Sequence, residues 1–155
     1  MKNLLVLLIT LVSIASNGQT LMDPSQAAID SINSYRVSKN LSPVKMSKAL
    51  NIAARHTAKR ISRKMDKGEK LTASHHSSQK YLSRVTKSLY MENLIALSNV
   101  TFLPDPSTVS QANVSSWSKS NGHNKNMLRP VITKMGYGYF IAKNGTLIGV
   151  LIGSD

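Results

Sequence analysis

The chain has 155 residues and no cysteine, and its 20 lysines and arginines outnumber seven aspartates and glutamates, which gives a formal net charge of +13. Without cysteine it can form neither a disulfide framework nor a thiolate metal site, so any metal ligands must be histidine or carboxylate side chains. The positive charge favours anionic partners, including acidic polymers and anionic membrane surfaces.

Residues 1–19 have the layout of a secretory signal peptide. Lys2 precedes an apolar run from Leu4 to about Val12, and small or polar residues follow it. The run is shorter than the roughly 20 apolar residues that a membrane-spanning helix needs. We therefore expect cleavage between Ala15 and Gln19, followed by secretion to the periplasm or the extracellular space. Residues 20–155 suit one domain, expected to be a monomer.

Two helices are predicted next. Pro24 suits a first helical turn, and apolar residues at helical spacing extend the first helix from about Ser25 to Lys39. Ser47 is a good N-cap for a second helix, which should end at Gly68. The apolar stripe of this second helix is set in a strongly basic surface and consists of Leu50, Ala54, Thr57, Ala58, Ile61 and Met65.

The second half of the chain combines short helices and strands. A helical turn is predicted between Gln79 and Lys87, a buried extended segment over residues 90–97, and a proline-marked loop from Pro104 to Ser107. A further helix is expected from Thr108 to Ser120, with Trp117 in the core.

Two alternating apolar runs flank Asn144-Gly145 near the C-terminus, a strong hairpin signal. Helices followed by a hairpin predict an α+β fold with an antiparallel sheet.

Five motifs in order resemble the CAP superfamily, the group of cysteine-rich secretory, antigen 5 and pathogenesis-related 1 proteins, also called SCP domains. They are Asn33 with Arg36, the Leu41-Ser42-Pro43-Val44 turn, His76-Ser77, Met91-Glu92-Asn93-Leu94, and the segment from Trp117 to Leu128. The missing cysteines and the Trp-x-x-Ser-x-Gly-His pattern are similar to the bacterial branch. The resemblance implies a three-layer α-β-α sandwich with a small antiparallel sheet between helices.

The resemblance also implies a cleft lined by two histidines and two glutamates. His76, Glu92 and His123 match three of these positions, and Ser120 stands where the second glutamate is expected. Two imidazoles with water at the open positions could hold zinc or another divalent cation, so His76 and His123 are the candidate metal ligands. A carboxylate beside them could orient an imidazole or act as a general base.

Nearby ionisable residues are weaker candidates. His75 should point away from His76, because neighbouring side chains in an extended segment face opposite sides. His56 is interpreted as a solvated residue of the basic helix, and Glu69 as a surface charge.

Three functions are compatible with these features. The first is a non-catalytic module that binds a small-molecule or lipid-like ligand, or a partner, in the cleft. A divalent-metal-dependent hydrolase using His76, His123 and Glu92 is the second, which the serine at position 120 disfavours. A basic surface that contacts anionic cell-envelope polymers is the third. Specific nucleic-acid recognition is not expected, because aromatic residues do not alternate with the basic ones.

Overall fold

A computed structural model describes residues 23–77, 79–86, 90–98 and 105–155. The predicted leader and Pro104 lie outside the described residues. The helices and strands, in chain order, are α1 (Pro24–Val37), β1 (Lys45–Met46), α2 (Lys48–Met65), α3 (Gln79–Val85), β2 (Tyr90–Leu97), α4 (Pro106–Ser118), α5 (Asn121–Met127), β3 (Lys134–Ile141) and β4 (Leu147–Ser154), with a short 3₁₀ turn at Ala73–His75.

The strands form one sheet in the order β1-β3-β4-β2. The hairpin of β3 and β4 and the pairing of β2 with β4 are antiparallel. β1 pairs with β3 in parallel, through Lys45 and Met46 opposite Lys134 and Met135. The sheet is therefore mixed, which corrects the expectation of a purely antiparallel sheet. A two-residue strand has too little periodicity to be recognised in a sequence.

Two apolar cores lie on opposite faces of this sheet and produce the predicted three layers. One core joins α1, α4 and α5 to the sheet through residues such as Ile32, Trp117 and Met127. The other joins α2 and α3 to it through residues such as Ile61 and Leu82. Alternate residues of each strand serve the two cores, because successive strand side chains point to opposite faces. The α+β sandwich and the buried position of Trp117 are thus confirmed.

Side-chain caps explain where the longer helices begin. The Asp23 carboxylate accepts from the Ser25 N–H at 2.9 Å, and the Ser47 hydroxyl accepts from the Leu50 N–H at 3.4 Å. Asp105 caps α4, with Pro106 in the first turn, where a missing N–H costs nothing. The predicted loop is therefore wrong at Pro106 and Ser107, which are helical.

Glycines allow α2 to lie very close to β3. A Cβ atom at Gly138 would lie 2.3 Å from the backbone nitrogen of Arg55, and one at Gly136 would lie 2.3 Å from the carbonyl carbon of Leu50. Only a strand without side chains at these two positions lets the helix backbone pack directly on the sheet. None of the described helices is long and apolar enough to cross a membrane.

Candidate functional site

His76 and Glu92 form the centre of the candidate site. The Nδ1 atom of His76 lies 2.8 Å from Oε2 of Glu92, and the Ser77 backbone N–H donates to the same oxygen at 2.8 Å. The Glu92 side chain is 4 % exposed and the His76 side chain is 40 % exposed. A buried carboxylate thus holds one side of a solvent-accessible imidazole and leaves its Nε2 atom free to bind other groups.

Strand β2 fixes the position of this carboxylate. Glu92 pairs with Ile152 of β4, and its side chain lies on the face of the sheet that α2 and α3 cover. Its second oxygen, Oε1, is buried and finds no hydrogen-bond partner among the described residues. Buried carboxylate oxygens are normally paired, so a bound molecule or ion with a donor or positive charge would stabilise this one.

The two adjacent histidines have opposite environments. His75 is 2 % exposed, accepts from the Thr72 N–H through Nδ1 at 3.2 Å, and places Nε2 3.3 Å from Oε2 of Glu69. His76 is exposed. His75 is the last residue of a 3₁₀ turn and His76 follows it, so the extended segment expected at these two residues is not observed. Glu69 lies at the surface but also pairs with Lys64 at 3.6 Å, so it helps to hold the turn.

A cavity of about 310 Å³ opens beside His76, and its lining consists of His56, Thr57, Arg60, His76, Ser77 and Tyr81. His56 stacks on Tyr81 with ring centroids 5.8 Å apart, so the interpretation of His56 as a merely solvated residue is incomplete. Burial raises the pKa of Tyr81, the Thr57 hydrogen bond and Arg60 oppose that rise, and the charge of Glu92 adds to it. The phenol therefore stays protonated at neutral pH and can donate a hydrogen bond.

His123 lies on α5, which two asparagines attach to β2. The Asn93 amide donates to the His123 carbonyl at 3.0 Å, and the Asn126 amide donates to Oδ1 of Asn93 at 2.8 Å. Burial lowers the pKa of His123, and repulsion from His76 lowers it further. His123 is not among the residues lining the cavity. A shared cleft stays a prediction.

Ser120 is the N-cap residue of α5, but its hydroxyl makes no capping hydrogen bond. Its backbone is engaged, since its N–H donates to Trp117 and its carbonyl accepts from Asn124. Among the described residues the hydroxyl has no hydrogen bond to His76, Glu92 or His123. The structure therefore places Ser120, the fourth residue of the predicted cleft, directly before α5, the helix that carries His123.

The donor set fits a divalent cation only in part. Glu92 orients the His76 ring, and the Nε2 atom of His76 has no partner among the described residues. Within the described ranges, however, no group of three or more histidine, cysteine, aspartate or glutamate side chains is placed to hold a metal ion. Any site here would rest on two imidazoles and water, which bind zinc more weakly than a complete set of four ligands.

The model for the cysteine-rich secretory protein family, CAP, matches residues 29–152. The chain belongs to the CAP family. The resemblance predicted from the motifs is confirmed, although this CAP protein has no cysteine. CAP proteins are typically secreted or surface proteins. No curated protein matches the chain.

Solved structures share the fold at low sequence identity. An outer surface protein of Borrelia burgdorferi is 16 % identical, with a TM-score of 0.60 over 85 % of this chain and 94 % of that protein. NaASP2, solved with Zn²⁺, is 14 % identical, with a TM-score of 0.65 over 88 % of this chain and 82 % of that one. An extracellular SCP-domain protein of Bacillus anthracis is 21 % identical, with a TM-score of 0.54 over 84 % of this chain and 40 % of that protein.

Several residues beside His76 had no signal in the sequence. Tyr81 and Arg60 reach the cavity from different helices, and Arg60 also donates to the His75 carbonyl at 2.6 Å. Ser77 could have been found, because it follows His76 in the motif, and its hydroxyl lies 3.0 Å from the Thr57 hydroxyl. Tyr81 sits in a short polar helix whose pattern does not distinguish it from a surface residue.

Proposed function

We propose that this CAP protein is an exported, non-catalytic binding module whose ligand occupies the cavity beside His76. The observation that carries this proposal is the buried Glu92 side chain, which holds His76 through one oxygen and whose other oxygen has no partner among the described residues. An unpaired buried oxygen is costly, so a ligand that completes its hydrogen bonds would stabilise the protein.

The cavity lining supports a small polar ligand more than a lipid tail. Each of its six residues carries a polar atom, and Arg60 adds positive charge. A ligand with a polar group for His76 and an anionic or acceptor group for Arg60 would match this lining. Mass spectrometry of small molecules that copurify with the parent protein and with Glu92→Gln tests this. A polar molecule retained only by the parent is expected, and equal retention would contradict the assignment.

A divalent cation is the simplest candidate ligand, supported by the His76 and Glu92 geometry and by a CAP relative solved with Zn²⁺. Bound zinc would supply positive charge and open coordination positions for ligand atoms. Calorimetric titration should show modest affinity that is lost in His76→Ala and in His123→Ala and retained in the control His56→Ala. Glu92→Gln should weaken binding about 10- to 100-fold.

Two outcomes would separate the metal from an organic ligand. Zinc binding that survives loss of both His76 and His123 would remove the proposed metal site. No zinc binding in the parent would leave the cavity as a site for organic ligands only. Ser120→Glu should strengthen binding, provided that its side chain turns toward the imidazoles.

Hydrolysis is the alternative activity at the same residues. We favour binding, because the serine at position 120 removes one of the two expected carboxylates, and Oε2 of Glu92 is already engaged by His76 and Ser77. We expect no zinc-dependent cleavage of simple ester or peptide substrates. Cleavage that Glu92→Gln abolishes would establish the hydrolase instead.

The layout of residues 1–19 supports export through a signal peptide. We expect the mature N-terminus to start between Ser16 and Thr20. Intact mass measurement on protein recovered from the cell envelope or medium checks this, and a full-length chain retained in the cytosol would contradict it.

The basic face of α2 supports weak contact with anionic envelope surfaces. Arg55, Lys59 and Arg63 are exposed on it, and such contacts should weaken steeply with salt because exposed charges are screened within about 10 Å at 0.1 M. Lys59→Gln with Arg63→Gln should reduce binding to anionic vesicles with little effect on stability. Arg60 is a poor choice for this test because it holds the His75 carbonyl. Binding that persists in high salt would exclude this contact.

A further inference from the structure

The outer edge of β3 is covered over only part of its length. β1 pairs with it as far as Met135. The next outward-facing residue, Tyr137, has side chains as partners: its N–H donates to Asn51 at 3.0 Å and its carbonyl accepts from the Ser25 hydroxyl at 3.0 Å. The Lys143 N–H, just after β3, donates to Asp66 at 2.7 Å. Between Tyr137 and Lys143, the part of the chain that the structure describes supplies neither a strand nor a side-chain partner for this edge.

Strand alternation identifies the open backbone groups. In an antiparallel ladder, every second residue directs its N–H and carbonyl to the same neighbour. Tyr137 faces outward, and the Ala142 N–H donates inward to Thr146 at 2.8 Å, so Tyr139 and Ile141 face outward as well. Two N–H groups and two carbonyls therefore have no partner among the described residues and can pair with an added strand.

The opposite edge of the sheet, formed by β2, has side-chain partners for its carbonyl groups. On β2 the Leu94 carbonyl accepts from the Trp117 indole at 3.2 Å, and the Glu92 carbonyl accepts from Asn126 at 3.4 Å. Side chains thus cap exposed strand edges elsewhere in this fold. An edge without such caps is able to recruit another chain.

The open edge lies in a groove of about 670 Å³. Its other wall is a stripe of α2 at positions i, i+4 and i+7, formed by Lys48, Ile52 and Arg55. Ile52 is 72 % exposed, an unusual position for a large apolar side chain. The groove therefore combines backbone hydrogen-bonding groups on β3 with an α2 stripe that presents one apolar side chain and two positive charges.

We propose that this groove binds an extended peptide segment of a partner protein, which adds to β3 as a strand and carries an acidic-x-apolar-x-acidic pattern. Alternate residues of the added strand would face α2 about 6.6 Å apart. Lys48, Ile52 and Arg55 are separated by about 6 Å and 4.5 Å of helix rise. Arg55 lies beside the open groups, because its backbone packs against Gly138. An acidic side chain of the added strand would therefore meet Arg55, and its apolar and second acidic side chains would lie toward Ile52 and Lys48. The groove is on the sheet edge opposite Glu92 and does not depend on the cavity beside His76.

The charges favour an acidic peptide over a second copy of this chain. A copy pairing through the same edge would bring Lys48 and Arg55 against their own counterparts, and like charges across a strand pair are destabilising. Asp23 is the acidic residue of the groove wall, and its carboxylate is engaged as the cap of α1. The net charge of +13 adds a field that attracts acidic segments.

The test uses a fluorescein-labelled peptide of sequence Glu-Thr-Val-Thr-Glu with blocked ends, measured by anisotropy with the purified protein. A matched peptide carries N-methyl groups on two consecutive central residues, so that one of them faces β3 in either register. The parent peptide should bind, and the methylated one should bind at least tenfold more weakly, because a backbone donor is lost. A lysine-for-glutamate peptide should not bind.

Protein variants and amide exchange locate the contact. Arg55→Glu should weaken binding at least tenfold, whereas Arg63→Glu, an equal charge change on the same helix outside the groove, should weaken it much less. The Tyr139 and Ile141 amides should exchange more slowly with peptide, and the Phe140 amide, bonded to β4, should not change. Equal binding of the methylated peptide would overturn the proposal. So would slow exchange of the Tyr139 amide in a protein that binds no peptide, whether the cause is self-association or protection already present in the free protein.

Discussion

Gly138→Ala should destabilise the fold strongly. The new Cβ atom would lie 2.3 Å from the Arg55 nitrogen, 2.6 Å from its Cα and 2.8 Å from the Ala54 carbonyl carbon, whereas ordinary contacts are 3.4–4 Å. Since all three atoms are helix backbone, no side chain can rotate away. The axis of α2 must retreat by about 1 Å, which loosens its packing on β3.

The size of the expected loss of folding free energy follows from this geometry. Overpacking usually costs about 1–3 kcal/mol, and a rigid backbone neighbour places this substitution at about 3 kcal/mol or more. For a domain of this size, each kcal/mol lowers Tm by about 3–5 °C, so thermal unfolding followed by circular dichroism should show a decrease of about 10 °C.

Gly122→Ala is the matched control. A Cβ atom at Gly122 meets nothing within 4 Å, and alanine is favoured over glycine in a helix by about 1 kcal/mol, so this variant should be neutral or more stable. A Gly138→Ala protein that unfolds within 2 °C of the parent would refute the claim that glycine sets the spacing between α2 and the sheet.

Three further predictions concern other parts of the molecule. Arg36→Lys should cost about 2 kcal/mol or more in urea unfolding, because the buried guanidinium donates to the carbonyls of Ser42 and Met127, at 2.9 and 2.7 Å, and a lysine cannot reproduce the fork. The pKa of His123 lies below its usual 6.5, so as the pH falls the unfolded chain binds a proton at His123 before the folded chain does. The free energy of unfolding should therefore decrease below about pH 6.5, and His123→Gln should flatten this part of its pH profile. Gly145→Ala should cost about 1 kcal/mol, because Gly145 has φ of 76°, and an unchanged denaturation midpoint would contradict this.

Local patterns were sufficient where local physics decides the structure. The Asn144-Gly145 turn, the buried segment Tyr90–Leu97 and the N-cap Ser47 were all predicted correctly. Each depends on residues close in sequence, such as a glycine that tolerates positive φ or a hydroxyl beside a free N–H.

Helix α5 could not be predicted, because it lacks an apolar stripe and depends on distant partners. Its Asn124 accepts from the Tyr35 hydroxyl at 2.9 Å, and Asn126 donates to Asn93 at 2.8 Å. The His76 and Glu92 pair had the same difficulty: no periodicity links the two residues, and the family resemblance alone predicted that they belong to one site. Tyr81 and Arg60 were missed for the same reason.

The place of β4 in the sheet constrains how the domain can be made. This strand lies between β3 and β2 and is buried along its whole length, yet it follows every other helix and strand of the domain. Until a ribosome has synthesised it, β2 has no neighbouring strand among those described and neither core is closed. The two cores therefore cannot close before β4 is available, and a truncation before Leu147 should leave an aggregation-prone fragment rather than a smaller folded domain.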